Sequence, residues 1–161
     1  MKRIVKNLLL SVVFILIQTT VLRLVALEGI VPDLLAIWIV YIAVTEGQLS
    51  ATLWGFGIGL TFDLASGGFI GLSALTKTIL GFFAGYFYGE NKIQMTLSSY
   101  RFPLIVLIVS VIHNTVYFAL YTRGTEIGLV RSIAEIGFAT SLYTATVSLL
   151  PMFTFSRRRA I

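Results

Sequence analysis

Apolar residues run along this chain in long blocks, and the polar residues gather between them. Six blocks stand out, at about 4–27, 32–46, 49–64, 70–89, 102–121 and 133–155. Crossing the hydrocarbon core of a bilayer takes about 20 mostly apolar residues in a helix. Four blocks meet that length. The blocks 32–46 and 49–64 fall short of it and are joined only by Glu46-Gly47-Gln48, so they predict a tight helical hairpin. Such a pair tilts, thins the bilayer locally, or re-enters it with its backbone shielded by protein. Proline marks the starts: Pro32 opens the second block and Pro103 the fifth, where a first turn has no hydrogen bond for it to break. Pro151 falls in the last turns of the sixth. The pattern predicts an all-α, polytopic membrane protein with six transmembrane helices in one domain, 1–161.

The first block follows Lys2, Arg3 and Lys6, so a cleaved signal peptide competes with a helix there. The residues after it, Val25-Ala26-Leu27-Glu28, hold no small-x-small cleavage pattern, and the block reads as a helix.

Composition sharpens the picture. Of 161 residues 57% are hydrophobic and 12% charged, where a soluble domain has about a quarter charged. With a mean hydropathy of +0.94 there is too little polar surface to wrap a core in water. The chain has no cysteine and a single histidine, His113, which excludes disulfides and leaves metal chemistry poorly supplied. The net charge of +5 sits at block ends, as anchors for anionic headgroups do, and not in a nucleic-acid patch. For six spans, one side carries Lys2, Arg3, Lys6, Lys92, Arg101, Arg157, Arg158 and Arg159, and the other Arg23, Arg123 and Arg131. That bias predicts both termini in the cytoplasm.

The candidate chemistry lies in the middle. Ala51, Gly55, Gly59 and Asp63 recur every four residues, and Lys77, Gly81, Gly85 and Gly89 repeat the device in the next block. Small residues let helix backbones approach closely, which drives association where lipid supplies no hydrophobic force. One stripe ends in an acid and the next begins with a base. Three readings of Asp63 stay open: a cap on the Ser66-Gly67-Gly68 turn paired with Lys77, a corner shaping a docking face for a partner helix, or an ion pathway. Elsewhere Gln18 and Thr19 interrupt the first block with Arg23 a turn later, Gln18 being expected to bond across helices. Ser110, His113, Asn114, Tyr117 and Tyr121 form a polar stripe in the fifth, His113 reading as structural. Trp38, Tyr41, Trp54, Tyr86 and Tyr88 read as lipid or interface contacts, with no aromatic cage. Glu135 is placed to pair with Arg131. Ser66 and His113 suggest a serine protease, but no oxyanion-hole loop accompanies them, and the seven acids are too dispersed for phosphoryl or glycosyl transfer. No enzyme, cofactor or metal is expected.

From about residue 10 to 90 the chain resembles the MreD family, small multi-spanning proteins of the bacterial rod-shape machinery. The match is carried by Gly59, Asp63, Leu64, Ser66, Gly67, Gly71 and Leu72, and more loosely by Gln18 and Pro32-Asp33. The resemblance implies a non-enzymatic inner-membrane scaffold acting with MreC, a bitopic periplasmic protein, and with the MreB cytoskeleton. These position the RodA-type glycosyltransferase and its penicillin-binding transpeptidase in lateral peptidoglycan synthesis. It also implies a fold similar to the substrate-binding components of energy-coupling-factor vitamin transporters, so a vitamin-like binding or transport subunit is the alternative. A translocase of lipid or lipid-linked precursor is a third class, for which only Asp63, Lys77 and His113 offer a charged path. On the first reading, a corner built from Gly55, Gly59, Asp63, Ser66, Gly67, Gly71, Lys77, Gly81 and Gly85 grips the MreC transmembrane helix.

Overall fold

The computed structural model describes residues 2–22, 24, 26, 30–122 and 132–157, and these are helical almost throughout. Helix α1 covers Lys2–Leu16 and continues as a π-helical turn over Ile17–Val21. Helix α2 is Leu34–Glu46, α3 is Gln48–Ser66, and α4 is Leu72–Ala84 with a closing 3-10 turn, Gly85–Phe87. A 3-10 turn, Glu90–Lys92, and a short α5, Ile93–Leu97, occupy what the sequence offers as a loop over 90–101. Helix α6 is Arg101–Tyr121. A π-helical stretch, Ser132–Gly137, leads into α7, Phe138–Val147, and α8, Leu149–Arg157, so the sixth block is two helices parted at Ser148.

Among the described residues, three helical stretches are long and apolar enough to cross a membrane: Lys2–Val21, Arg101–Tyr121 and Ser132–Phe155. Each is mostly unburied within the chain, as lipid-facing helices are. Of the other expected spans, Leu34–Glu46 and Leu72–Phe87 are shorter apolar helices.

Helix α2 is the centre of the molecule. Leu35, Ala36, Ile39, Val40, Ile42 and Ala43 are fully buried, on every side of the helix. A helix hydrophobic all round belongs in a core, and this explains its 13 residues. At 1.5 Å per residue such a helix reaches only about 20 Å, short of a bilayer core about 30 Å thick. The shortness is tolerable because neighbouring helices enclose it.

Its buried start needs polar partners, since backbone N–H groups in a membrane find no water. Asp33 is the N-cap, its Oδ1 accepting from Ala36 N at 2.9 Å. Pro32 therefore lies just outside the helix and not in its first turn. Gln18 reaches across from the π turn after α1, donating to Pro32 O at 3.1 Å and accepting from Leu34 N at 2.9 Å. Thr144 of α7 accepts from Asp33 N at 2.9 Å. The expected cross-helix bond of Gln18 is present; Arg23 lies outside the described residues, as do Arg123 and Arg131, the partner proposed for Glu135.

Candidate functional site

Helices α3 and α4 are the most extensively packed pair, and glycine is the reason. Gly55, Gly59, Gly81 and Gly85 are all buried. A methyl group added at Gly59 would sit 2.5 Å from Ser73 O and 2.6 Å from Ala74 Cα. At Gly55 it would strike the Lys77 carbonyl, at Gly81 that of Ala51, and at Gly85 the Gln48 side chain. The two small-residue stripes therefore face each other. The close approach they permit is made inside the chain, and that room is not open to a foreign helix. Gly89 instead stands in the extended link beyond α4.

The bend between the two helices is tied by Asp63. Its Oδ2 accepts from the backbone N–H of Gly71 (2.8 Å), Ser73 (3.1 Å) and Ala74 (3.2 Å), and Oδ1 from Ser73 at 3.2 Å. These are the otherwise unmet donors at the start of α4, where the helix dipole also favours an anion. A carboxylate in the last turn of α3 thus caps α4 from a distance. The donors are not those of Ser66-Gly67-Gly68, as expected from the sequence. Ser66 instead donates through Oγ to Asp63 O at 3.4 Å. Gly67 and Gly71 carry positive φ, 68° and 97°, which suits glycine at the two ends of the turn. Nothing lies within 4 Å of the space a side chain would take at either.

Lys77 does not pair with Asp63. Its Nζ meets Asp33 Oδ2 at the N-terminus of α2, with the ring of Phe62 5.9 Å away. His113 Nε2 from α6 lies 3.6 Å from the same oxygen. The pairing follows from packing: Lys77 is turned inward on α4, and the Asp63 oxygens are already filled by backbone donors. Asp33, which enters the sequence reading only through the looser Pro32-Asp33 match, is the hub joining α2, α4 and α6. Acid and base are 44 residues apart, so no local spacing signals the pair.

Around this hub lies a cavity of about 300 Å³, bordered by Gln18, Asp33, Lys77, His113, Asn114 and Tyr117 among others. Asn114 is engaged in the wall, donating to Gly137 O (3.1 Å) and Ser141 Oγ (2.8 Å) of the last block. Among the described residues, His113 Nδ1 and Ser110 Oγ are buried without a hydrogen-bond partner. From Tyr117 an aromatic row runs outward: Tyr121 stacks on it at 5.7 Å, and Phe69 meets Tyr121 edge-on at 6.1 Å. Phe69 and its neighbour Ile70, on the turn between α3 and α4, are each 71% exposed. Of the predicted polar positions, Gln18, Lys77, His113 and Asn114 thus converge, while Asp63 serves the adjacent turn.

Among the described residues no group of His, Asp and Glu is placed to hold a metal ion. A second aromatic cluster departs from expectation: Phe14, Trp38, Tyr41 and Phe155 form a continuous row and do not lie scattered against lipid. No curated protein and no solved structure matches the chain. The family model for rod shape-determining protein MreD matches residues 1–157, nearly the full length. The chain belongs to the MreD family of rod shape-determining proteins.

Proposed function

We propose that this chain is a non-enzymatic inner-membrane scaffold of rod-shape maintenance and lateral peptidoglycan synthesis. It works with MreC, and directly or through MreC with MreB, the RodA-type glycosyltransferase and its penicillin-binding transpeptidase. It crosses the membrane six times with both termini in the cytoplasm, on a fold like that of the vitamin-transporter components. Family membership gives the role in rod shape. The observation that carries the scaffold reading is the polar cavity around Asp33, Lys77 and His113, opening beside a turn that exposes Phe69 and Ile70.

The glycine stripes are consumed in joining α3 to α4, so the partner's place is the Ser66–Gly71 turn and the cavity next to it. In the proposed orientation that end faces the periplasm, where the membrane-proximal part of the MreC transmembrane helix emerges. Cysteines at Phe69 and Tyr121 are expected to crosslink to co-expressed MreC near that boundary, while one at Gly57, on the exposed face of α3, is not. Crosslinks from Gly57 alone would place MreC elsewhere and end this assignment. Phe69→Ser, which removes exposed apolar surface and the edge contact with Tyr121 but no side-chain hydrogen bond, is expected to round up rod-shaped cells while the protein stays in the membrane at its normal level.

The vitamin-like binding reading is favoured by the same cavity, whose size lies at the low end of ligand pockets, about 300–1,000 Å³. A small molecule retained through purification, and lost with Lys77→Met, would support it over the scaffold.

A further inference from the structure

Along α2 from Leu34 to Glu46, between it and α1 and α8, lies a second cavity of about 430 Å³. One wall is the aromatic row, with Trp38 and Tyr41 stacked at 5.2 Å and Tyr41 and Phe155 at 5.8 Å. Leu10, Phe14 and Val147 line it as well. Several of the polar groups that border it are already engaged within the chain. Trp38 Nε1 donates to Ser11 Oγ at 3.0 Å, Thr45 Oγ1 to Tyr41 O at 2.8 Å, and Asn7 Nδ2 to Glu46 Oε1 at 2.7 Å. Arg3 holds the same Glu46 oxygen at 2.8 Å. Lys6, also on the lining, is exposed and makes no hydrogen bond or ion pair among the described residues.

Protein interiors pack densely, and a void of this size forfeits dispersion contacts along its whole lining. Water is a poor filler where the walls are apolar and their polar atoms satisfied. A helix about 10–12 Å across would exhaust the volume in roughly one turn. A flexible hydrocarbon chain fits, and the surrounding solvent is made of them. The mouth adds selectivity: Arg3 and Lys6 outnumber Glu46 there, so an anionic group is favoured at the level where headgroups lie.

We propose that this cavity holds one acyl chain of an anionic glycerophospholipid from the leaflet on the N-terminal side, with Lys6 beside Arg3 meeting its phosphate. The lipid bridges α1 to α8 along the aromatic row, completing a core that the chain leaves open. The site is independent of the MreC reading, since it shares no lining residue with the cavity around Asp33.

The chain's two tryptophans make the site readable. With Trp54→Phe, Trp38 is the sole reporter in full-length protein reconstituted into vesicles. Dibrominated phosphatidylglycerol, at a fixed fraction in phosphatidylcholine, is expected to quench Trp38 more than dibrominated phosphatidylcholine at the same fraction. The preference is expected to be about fivefold in relative affinity, the discrimination of one lysine at an anionic surface. Lys6→Ala is expected to abolish the preference, and Val147→Phe, which fills the cavity, to abolish quenching of Trp38 itself. Quenching that follows the bulk fraction with no headgroup preference would mean annular lipid only. Absence of quenching would mean a cavity closed to acyl chains, and a preference that survives Lys6→Ala would remove the phosphate assignment. Each of these three results overturns the proposal.

Discussion

Asp63 and Asp33 are the two acids whose surroundings decide the centre of this protein, and they serve different ends. Asp63 takes backbone donors from Gly71, Ser73 and Ala74 in place of a cation. Hydrogen bonds to a charged group contribute about 1.5–3 kcal/mol each, and a buried donor left unmet costs its desolvation. Asp63→Ala is therefore expected to destabilise the protein by at least about 1.5–3 kcal/mol, and Asp63→Asn by less, because one oxygen still accepts. Thermal unfolding in detergent checks the order. Asp33 and Lys77 form a largely buried ion pair, and removing one member of a fully buried pair costs about 3–5 kcal/mol because the other charge is stranded. Lys77→Met alone is expected to cost up to that much, while Asp33→Asn with Lys77→Met recovers most of it. If the double variant is no better than the single one, the pair is not the source of the loss.

At the level of elements, the α3–α4 hairpin is a packed unit whose spacing is set by glycine. Gly57 and Gly59 sit two residues apart on α3 with opposite fates. Around Gly57 nothing lies within 4 Å of an added side chain, whereas at Gly59 a methyl group meets the backbone of Ser73 and Ala74. Gly57→Ala is expected to leave stability unchanged or raise it. Gly59→Ala is expected to cost about 1–3 kcal/mol, the range for overpacking. Unfolding midpoints of the two variants test whether the stripe is an internal seam, and equal midpoints would contradict it. The four-residue spacing made the stripe legible from sequence. Its destination was not, because a small-residue face records how near a neighbour comes and not which helix the neighbour is.

Across the whole molecule, a short and mostly buried α2 packs against α3 and α4. Three longer apolar helical stretches join it, with a polar cavity and a separate apolar cavity beside it. The proposed orientation puts Phe69 outside the cell and Lys92 inside. Cysteines at those positions are expected to react with a membrane-impermeant maleimide in intact cells only for Phe69, and in inverted vesicles only for Lys92. The reverse result would invert the topology and move the lipid cavity to the outer leaflet.

Apolar blocks, scarce charge and absent cysteine by themselves determined a helical membrane protein, and the Gly59–Leu72 pattern pointed to its family. Those features are local, and a bilayer requires every spanning backbone to satisfy itself by winding into a helix. The tertiary structure alone decided that Lys77 belongs to Asp33 and that the glycine stripes close on each other. It alone showed α2 to be a core helix and four scattered aromatic residues to form one wall. Each of these depends on which faces meet across tens of residues, and with Asp63 saturated by backbone N–H groups the buried lysine pairs with Asp33.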